Sequence, residues 1–187
     1  VFPLQMALGA SRDSALAYDV GRVTALEGRA LGVHVSFGPV LDVNNNPANP
    51  VIGARSFSED PRVTARLGAA LVRGVQDHGM LATAKHFPGH GDTETNSHLA
   101  LATVNASRAR LDSVELVPFR EAIRAGAGAI MTFHGFLPAL DSSGVPATLS
   151  PLVMTELLRR DMKFDGLLFT DAMDMAGVID RFGAVEV

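Results

Sequence analysis

VHVSFGPV (residues 33–40), MLATAKHF (80–87), AGAIMTFH (127–134) and GLLFTDAM (166–173) are four nearly unbroken apolar runs, and each follows a stretch with helical spacing. Strands that are apolar at almost every position are buried on both faces, as in a parallel sheet covered by helices. The order αβαβαβαβ leaves two architectures, a (β/α) barrel and an open doubly wound sheet. A full barrel has eight strands and about 250 residues. A chain of 187 residues with four such runs corresponds to roughly half of one.

The helical segments carry their own punctuation. The first is expected over 12–31, with Ser11 as N-cap and Leu16, Val20, Val23 and Ala30 on the buried face. The second opens at Asp60-Pro61, an acidic cap followed by a proline suited to the first helical position, and Leu67, Leu71 and Val75 continue its face. A third begins near Ser107 and carries Leu116, Phe119 and Ile123. A fourth starts at Ser150-Pro151.

The loops leaving the carboxyl ends of the strands are long and polar, whereas the returns from helix to strand are short. Loops 42–60, 85–106 and 134–149 are of the first kind. In parallel α/β folds that edge carries the chemistry. Each strand also ends in an ionisable group: Asp42, then Lys85 and His86, then His134, then Asp171. Groups delivered to one rim by separate strands form the layout of a barrel active site. NNNPANP in the first loop is rich in turn formers and reads as structured loop.

Composition narrows the partners. The net charge is −4, and the 16 basic residues are scattered along the sequence, which argues against nucleic acid or an anionic membrane as partner. No stretch approaches the ~18 apolar residues of a membrane helix. The absence of cysteine rules out disulfides and thiolate metal ligation. The chain begins at Val1 and its last residues follow closely on the start of a new element, so 1–187 is read as a single, incomplete catalytic barrel domain of a longer chain.

The densest chemistry is KHFPGHGDTETNSH, residues 85–98. His86, His90, His98, Asp92 and Glu94 are all legitimate zinc ligands. Two histidines four apart align only on a helix, and Pro88 and Gly89 break one there. The reading without metal is therefore preferred, and no cofactor is expected. His90 is read as a loop-shaping residue. The alternative pairs this loop with LLFTDAMDM (167–175), where a strand-end carboxylate, Asp171, could attack an anomeric carbon. A histidine near its ordinary pKa can supply the proton transfer usually assigned to a second carboxyl group.

Residues 85–98, together with FGPVLDVNNNPANPVIGARSF (37–57), MTFH (131–134), VPATLS (145–150) and FDGLLFTDAMDM (164–175), resemble the family 3 glycoside hydrolases, in particular their β-N-acetylglucosaminidase branch. The resemblance spans essentially the whole chain and implies a TIM-type (β/α) barrel, here a partial segment of about four βα units. It implies a retaining exo-acting enzyme that removes terminal GlcNAc from peptidoglycan fragments or chito-oligosaccharides, with a small carbohydrate as substrate. By match, Asp171 is the nucleophile and His98 the acid/base. Lys85, His86 and Arg55 grip the sugar, and His134 lines the pocket. Asp174 reads as structural and Asp42 as an organiser of its loop.

Two departures from the family pattern stand out. The branch has aspartate two residues before the acid/base histidine, where this chain has Asn96. An amide orients a ring without lending it charge, so the general acid is expected to be weakened unless Asp92 or Glu94 substitutes. The family's upstream sugar-binding aspartate segment would precede Val1, and the strands closing the barrel would follow Val187. The remaining barrel segments of a longer parent chain are thus expected partners. Alternatives are a β-glucosidase or xylosidase of the same family, whose acid/base is a glutamate from elsewhere, and a catalytically impaired sugar-binding fragment.

Overall fold

All four apolar runs enter one parallel sheet whose strands keep their chain order. The computed structural model describes residues 2–97 and 100–182. The strands are β1 (Val35–Ser36), β2 (Leu81–Phe87), β3 (Ala102–Thr103), β4 (Ala129–Thr132), β5 (Gly135–Phe136) and β6 (Leu167–Phe169). The main sheet runs β1-β2-β4-β6, with Val35 opposite Leu81, Thr83 opposite Ala129, and Ala129 opposite Leu167. A doubly wound sheet reverses its strand order at a switch point; here there is no reversal.

The sheet also curls. Phe37 follows β1 and Phe169 closes β6, at opposite edges, yet their rings lie 5.5 Å apart edge to face. In a flat sheet these edges would stand about 14 Å apart at the usual strand spacing. The four βα units therefore form an arc of a (β/α) barrel, with both phenylalanines inside the curve.

The helices are α1 (Gln5–Ser11), which lies against the loop after β1, α2 (Ser14–Ala30), α3 (Pro61–Gln76), α4 (Arg108–Ser113), α5 (Leu116–Arg124), a π-helix (Leu152–Asp161) and α6 (Ala176–Phe182). Of these, α2, α3 and α5 form a layer on the outside. α2 packs on α3 and α3 on α5, again in chain order. The core lies between this layer and the sheet, where Leu67, Leu71 and Val75 of α3, Phe119 of α5 and Leu158 meet Ala82, Ala84 and Ile130. Full burial of each large side chain contributes roughly 1.5–3 kcal/mol.

The expected caps at Asp60 and Ser107 form: Asp60 accepts from the Arg62 N–H at 2.8 Å and Ser107 from the Arg110 N–H at 3.2 Å. The first helix differs from expectation. Ser11 ends a separate helix, α1, and donates back to Leu8 O, while the cap of α2 is Asp13, which accepts from Ala15 and Leu16. The buried stripe of α2 is Ala17, Gly21 and Ala25, and Leu16 is exposed. Close approach is the cause. A Cβ on Gly21 would stand 2.5 Å from Leu71 O, and one on Gly74 would stand 2.1 Å from Tyr18 O, so the two backbones touch where larger residues were expected to face inward. The expected third helix is divided into α4 and α5, with Pro118 placed in the first turn of α5 where its missing N–H costs nothing.

The even scatter of basic residues along the sequence does not survive folding, because five arginines of α3 and α5 converge on one outer groove. Among the described residues no helix is long and apolar enough to cross a membrane.

Candidate active site

The strand register sets the rim. Val40 bridges to Lys85, Phe87 lies opposite Thr132, and Met131 lies opposite Phe169. Asp42, Lys85, His86, His134 and Asp171 therefore leave their strands at one level. The pairing of β2 with β4 shifts register between Ala84 and Phe87, a stretch in which the Lys85–His86 and Phe87–Pro88 peptides are cis.

Asp42 is fully buried at the centre. Its carboxylate accepts the His86 ring at Nδ1 (2.7 Å), the His86 backbone N–H (3.2 Å) and the His90 backbone N–H (2.7 Å). Burial alone would raise its pKa. The charge and hydrogen bond of His86, reinforced by His90, outweigh that and hold the carboxyl below the usual range. Several donors on one carboxylate have this effect generally.

With its Nδ1 proton on Asp42, His86 turns Nε2 toward the mouth. There Arg55 Nη2 lies at 3.4 Å and Asp171 Oδ2 at 3.9 Å. Arginine only donates, so this contact fixes Nε2 as the acceptor in that tautomer. Arg55 sits in a short 3₁₀ turn, Gly53–Arg55, and also donates to Val51 O. Lys85 is half-buried beside it. Burial and the Arg55 charge lower its pKa, against the opposing pull of Asp171 and Asp42.

Arg55 and Lys85 line a cleft of about 250 Å³ with Pro3, Leu4, Gln5, Phe37 and Val40. Gln5 walls it by pairing twice with the Val40 backbone, at 2.9 and 3.0 Å. Nothing in the sequence pattern marked Gln5; its signal, one amide ahead of a strand 35 residues on, is too weak to read.

Asp171 follows β6 with its side chain part-exposed, and its Oδ1 accepts the N–H of Ala172 at 2.9 Å. His134 reaches the same segment from β4. Its Nε2 lies 3.1 Å from Ala172 O and its Nδ1 2.8 Å from Thr148 Oγ1. Burial lowers its pKa despite the opposing influence of the Ala172 carbonyl and of Asp171. The neutral ring donates to the carbonyl and accepts from threonine, so both nitrogens are engaged inside the protein.

The first part of the loop after β2 is pinned at several points. His90 is 2% exposed, stacks on Phe133 at 4.1 Å, and bonds Thr93 Oγ1 and Ser97 Oγ through its two ring nitrogens, each at 2.9 Å. Burial carries its pKa down to about 4, so it is neutral near pH 7. Asn49 donates to the carbonyls of His90 and Gly91. Gly91 lies directly on the preceding loop, where a Cβ would stand 1.8 Å from Val43 O. The loop returns as β3, paired in parallel with β5 at Ala102–Gly135 and Thr103–Phe136.

The backbone carbonyl of Asn96 accepts the Ala100 N–H at 3.1 Å. His98, expected to be the acid/base, lies outside the described residues. Among the described residues no group of three or more His, Cys, Asp or Glu is arranged to hold a metal ion. The rim thus brings Arg55, Lys85, His86 and Asp171 together and leaves His134 just behind them. Asp42 is the residue whose reach the sequence understated. Chemically the arrangement presents a carboxylate, the cationic donors of Arg55 and Lys85, and the His86 imidazole at an open mouth.

The family 3 glycosyl hydrolase N-terminal domain matches the chain over residues 1–187, and the chain belongs to that family. It is 43% identical over 199 residues to beta-hexosaminidase A of Pseudoalteromonas piscicida, covering 99% of this chain and 33% of that protein. A beta-hexosaminidase of Neisseria meningitidis serogroup C is 42% identical over 178 residues, covering 95% of this chain and 48% of the relative. The structure of a family 3 beta-N-acetylglucosaminidase from Paenibacillus sp. FPU-7 superposes with a TM-score of 0.96 at 50% identity, over 97% of this chain and 35% of that one. The chain thus spans about a third to a half of the length of these relatives.

Proposed function

We propose that residues 1–187 form part of the catalytic barrel domain of a retaining exo-β-N-acetylglucosaminidase, a longer chain acting on terminal GlcNAc of peptidoglycan fragments or chito-oligosaccharides. The observation that carries this reading is the meeting of Asp171 with His86 Nε2 at 3.9 Å, beside Arg55, at the carboxyl rim of the strands. A nucleophile in that position is flanked by donors suited to sugar hydroxyls.

In the proposed reaction an Asp171 oxygen attacks the anomeric carbon as the glycosidic bond breaks, and His98 gives its proton to the departing oxygen. Water then attacks the glycosyl ester, His98 takes the water's proton, and Asp171 is released. Arg55, Lys85 and His86 hold the sugar. Asn96 helps orient His98 without adding charge. Asp42 fixes the His86 ring, and His134 holds the segment bearing Asp171 in place of touching substrate.

The test is intact-mass spectrometry after incubation with a fluorinated N-acetylglucosaminide bearing an activated leaving group. Such a leaving group needs little protonation, so Asn96 does not obstruct the first step. An adduct on Asp171 that is lost in Asp171→Asn is expected. An adduct on another residue, or equal labelling of the variant, would remove Asp171 from the mechanism.

A further inference from the structure

The outer wall of the arc carries a second feature remote from the strand rim. α3 and α5 border a groove of about 460 Å³ lined by Arg62, Arg66, Arg73, Arg120 and Arg124, with Ala65, Ala69 and Val117 between them. On a helix of 3.6 residues per turn, Arg62, Arg66 and Arg73 fall within about 40° of one another. Arg120 and Arg124 form a matching row on α5.

This concentration runs against the rest of the molecule. The chain has 20 acidic and 16 basic residues, yet five of the basic ones face this groove and Glu121 is its one acid. Among the described residues no carboxylate pairs with Arg62, Arg66 or Arg73. Arg120 is bonded to Asp112, and Arg124 to Glu121 at 3.1 Å. Arg62 with Arg66, and Arg120 with Arg124, are like-charge pairs four residues apart, each costing a helix about 0.2–0.5 kcal/mol. A surface selected only for stability would intersperse acids here, and local rules are broken chiefly where function requires it.

We propose that this groove binds a ligand carrying two or more phosphate groups, held by guanidinium forks over an apolar floor. Arginine forks match phosphate oxygens in bidentate fashion. From Arg62 to Arg73 the row extends about 16 Å along the helix, more than one phosphate can use. Between the five guanidinium groups the floor offers only Ala65, Ala69 and Val117, too little apolar surface for the hydrophobic groove in which an amphipathic helix docks, which favours an unbranched anionic chain over a helical protein. A volume of this size is ordinary for small-ligand sites. The site does not depend on the glycosidase reading.

The test is calorimetric titration of the full 187-residue chain with inorganic tripolyphosphate at two salt concentrations. The wild type should bind, with affinity falling as salt rises. The Arg62→Ala/Arg66→Ala double variant should bind at least about tenfold more weakly, as expected for the loss of two charged hydrogen bonds. An Arg29→Ala/Arg160→Ala control, away from the groove, should match the wild type. Because the double variant relieves like-charge repulsion, its melting temperature without probe should not fall, which separates lost binding from lost folding. Equal affinity in the wild type and the double variant, or no heat with the wild type, overturns the proposal. Binding of a poly-glutamate peptide without binding of tripolyphosphate overturns it in favour of an acidic protein partner.

Discussion

His134 donates from Nε2 to the carbonyl of Ala172 at 3.1 Å, so the residue after the candidate nucleophile is held from one side by β4 and from the other by the Asp171 carboxylate. If His134 positions this segment and does not grip sugar, His134→Ala should lower kcat about tenfold or more and leave KM nearly unchanged. His134→Gln, which keeps a donor, should recover part of the loss. Steady-state kinetics on an aryl N-acetylglucosaminide decide the matter: a KM effect without a kcat effect would make His134 a substrate contact.

Asp42 gathers three hydrogen bonds from two residues while its side chain is fully buried. Asp42→Asn should destabilise the fold by about 3 kcal/mol, since the amide places donors where donors already point. It should also lower kcat/KM about 10²-fold by releasing the His86 ring. The pH dependence has a definite sign. Folding depresses the Asp42 pKa, so its stabilisation is complete above the unfolded value of about 3.9 and is lost as pH falls through the native one. Denaturant melts below pH 4 should show that acid loss in the wild type and not in the variant.

His90 acts in a different window. Its native pKa of about 4 lies below the unfolded value of 6.5. Between those limits the unfolded chain takes up a proton that the native state refuses, so stability falls as pH drops from about 6.5 to about 4. A gap of roughly 2.5 pH units corresponds to about 3 kcal/mol. Urea denaturation at pH 7, 5.5 and 4.5 should reveal the slope. His90→Gln should be less stable at pH 7 and show a shallower slope across the same range, the remainder coming from groups such as His134.

Asn96→Asp would place a carboxylate two residues before His98. Turnover of alkyl glycosides, which need protonation to leave, should rise about tenfold, with little change for activated aryl glycosides. Parallel measurement of the two substrate classes provides the check. Equal gains on both would mean that the change acts on something other than the general acid.

The parts of the fold legible in the sequence were those whose signal is local. β2 and β4 are buried on both sides, and their runs of apolar residues reported it directly. Asp60 and Ser107 sit beside the N–H groups they cap, so adjacency was enough to find them. β3 and β5 were not legible, because each is two residues long and exists only through the other. The buried face of α2 was misread for a reason of scale. Apolar spacing pointed to Leu16 and Ala30, which are exposed, and to Val20, which does pack against the core, whereas backbone contact with α3 selected Ala17, Gly21 and Ala25 as the fully buried stripe.

The candidate site divides along the same line. Lys85, His86, His134 and Asp171 announced themselves by type and by place at strand ends. The grip of Asp42 did not, since its partners lie 44 and 48 residues away and no spacing rule reaches that far. Gln5 was missed for the same reason.

That grip also shapes how such a site can change over generations. Arg55 and Lys85 line the open cleft, and a lineage could exchange either one singly without leaving a buried carboxylate unpaired. Asp42 offers no such gradual route. Any successor must satisfy the ring of His86 and the backbone of two residues at once, so an isolated replacement meets a fitness valley that only a coordinated change could cross. Change is thereby directed outward to the rim, while the buried carboxylate stays where it began.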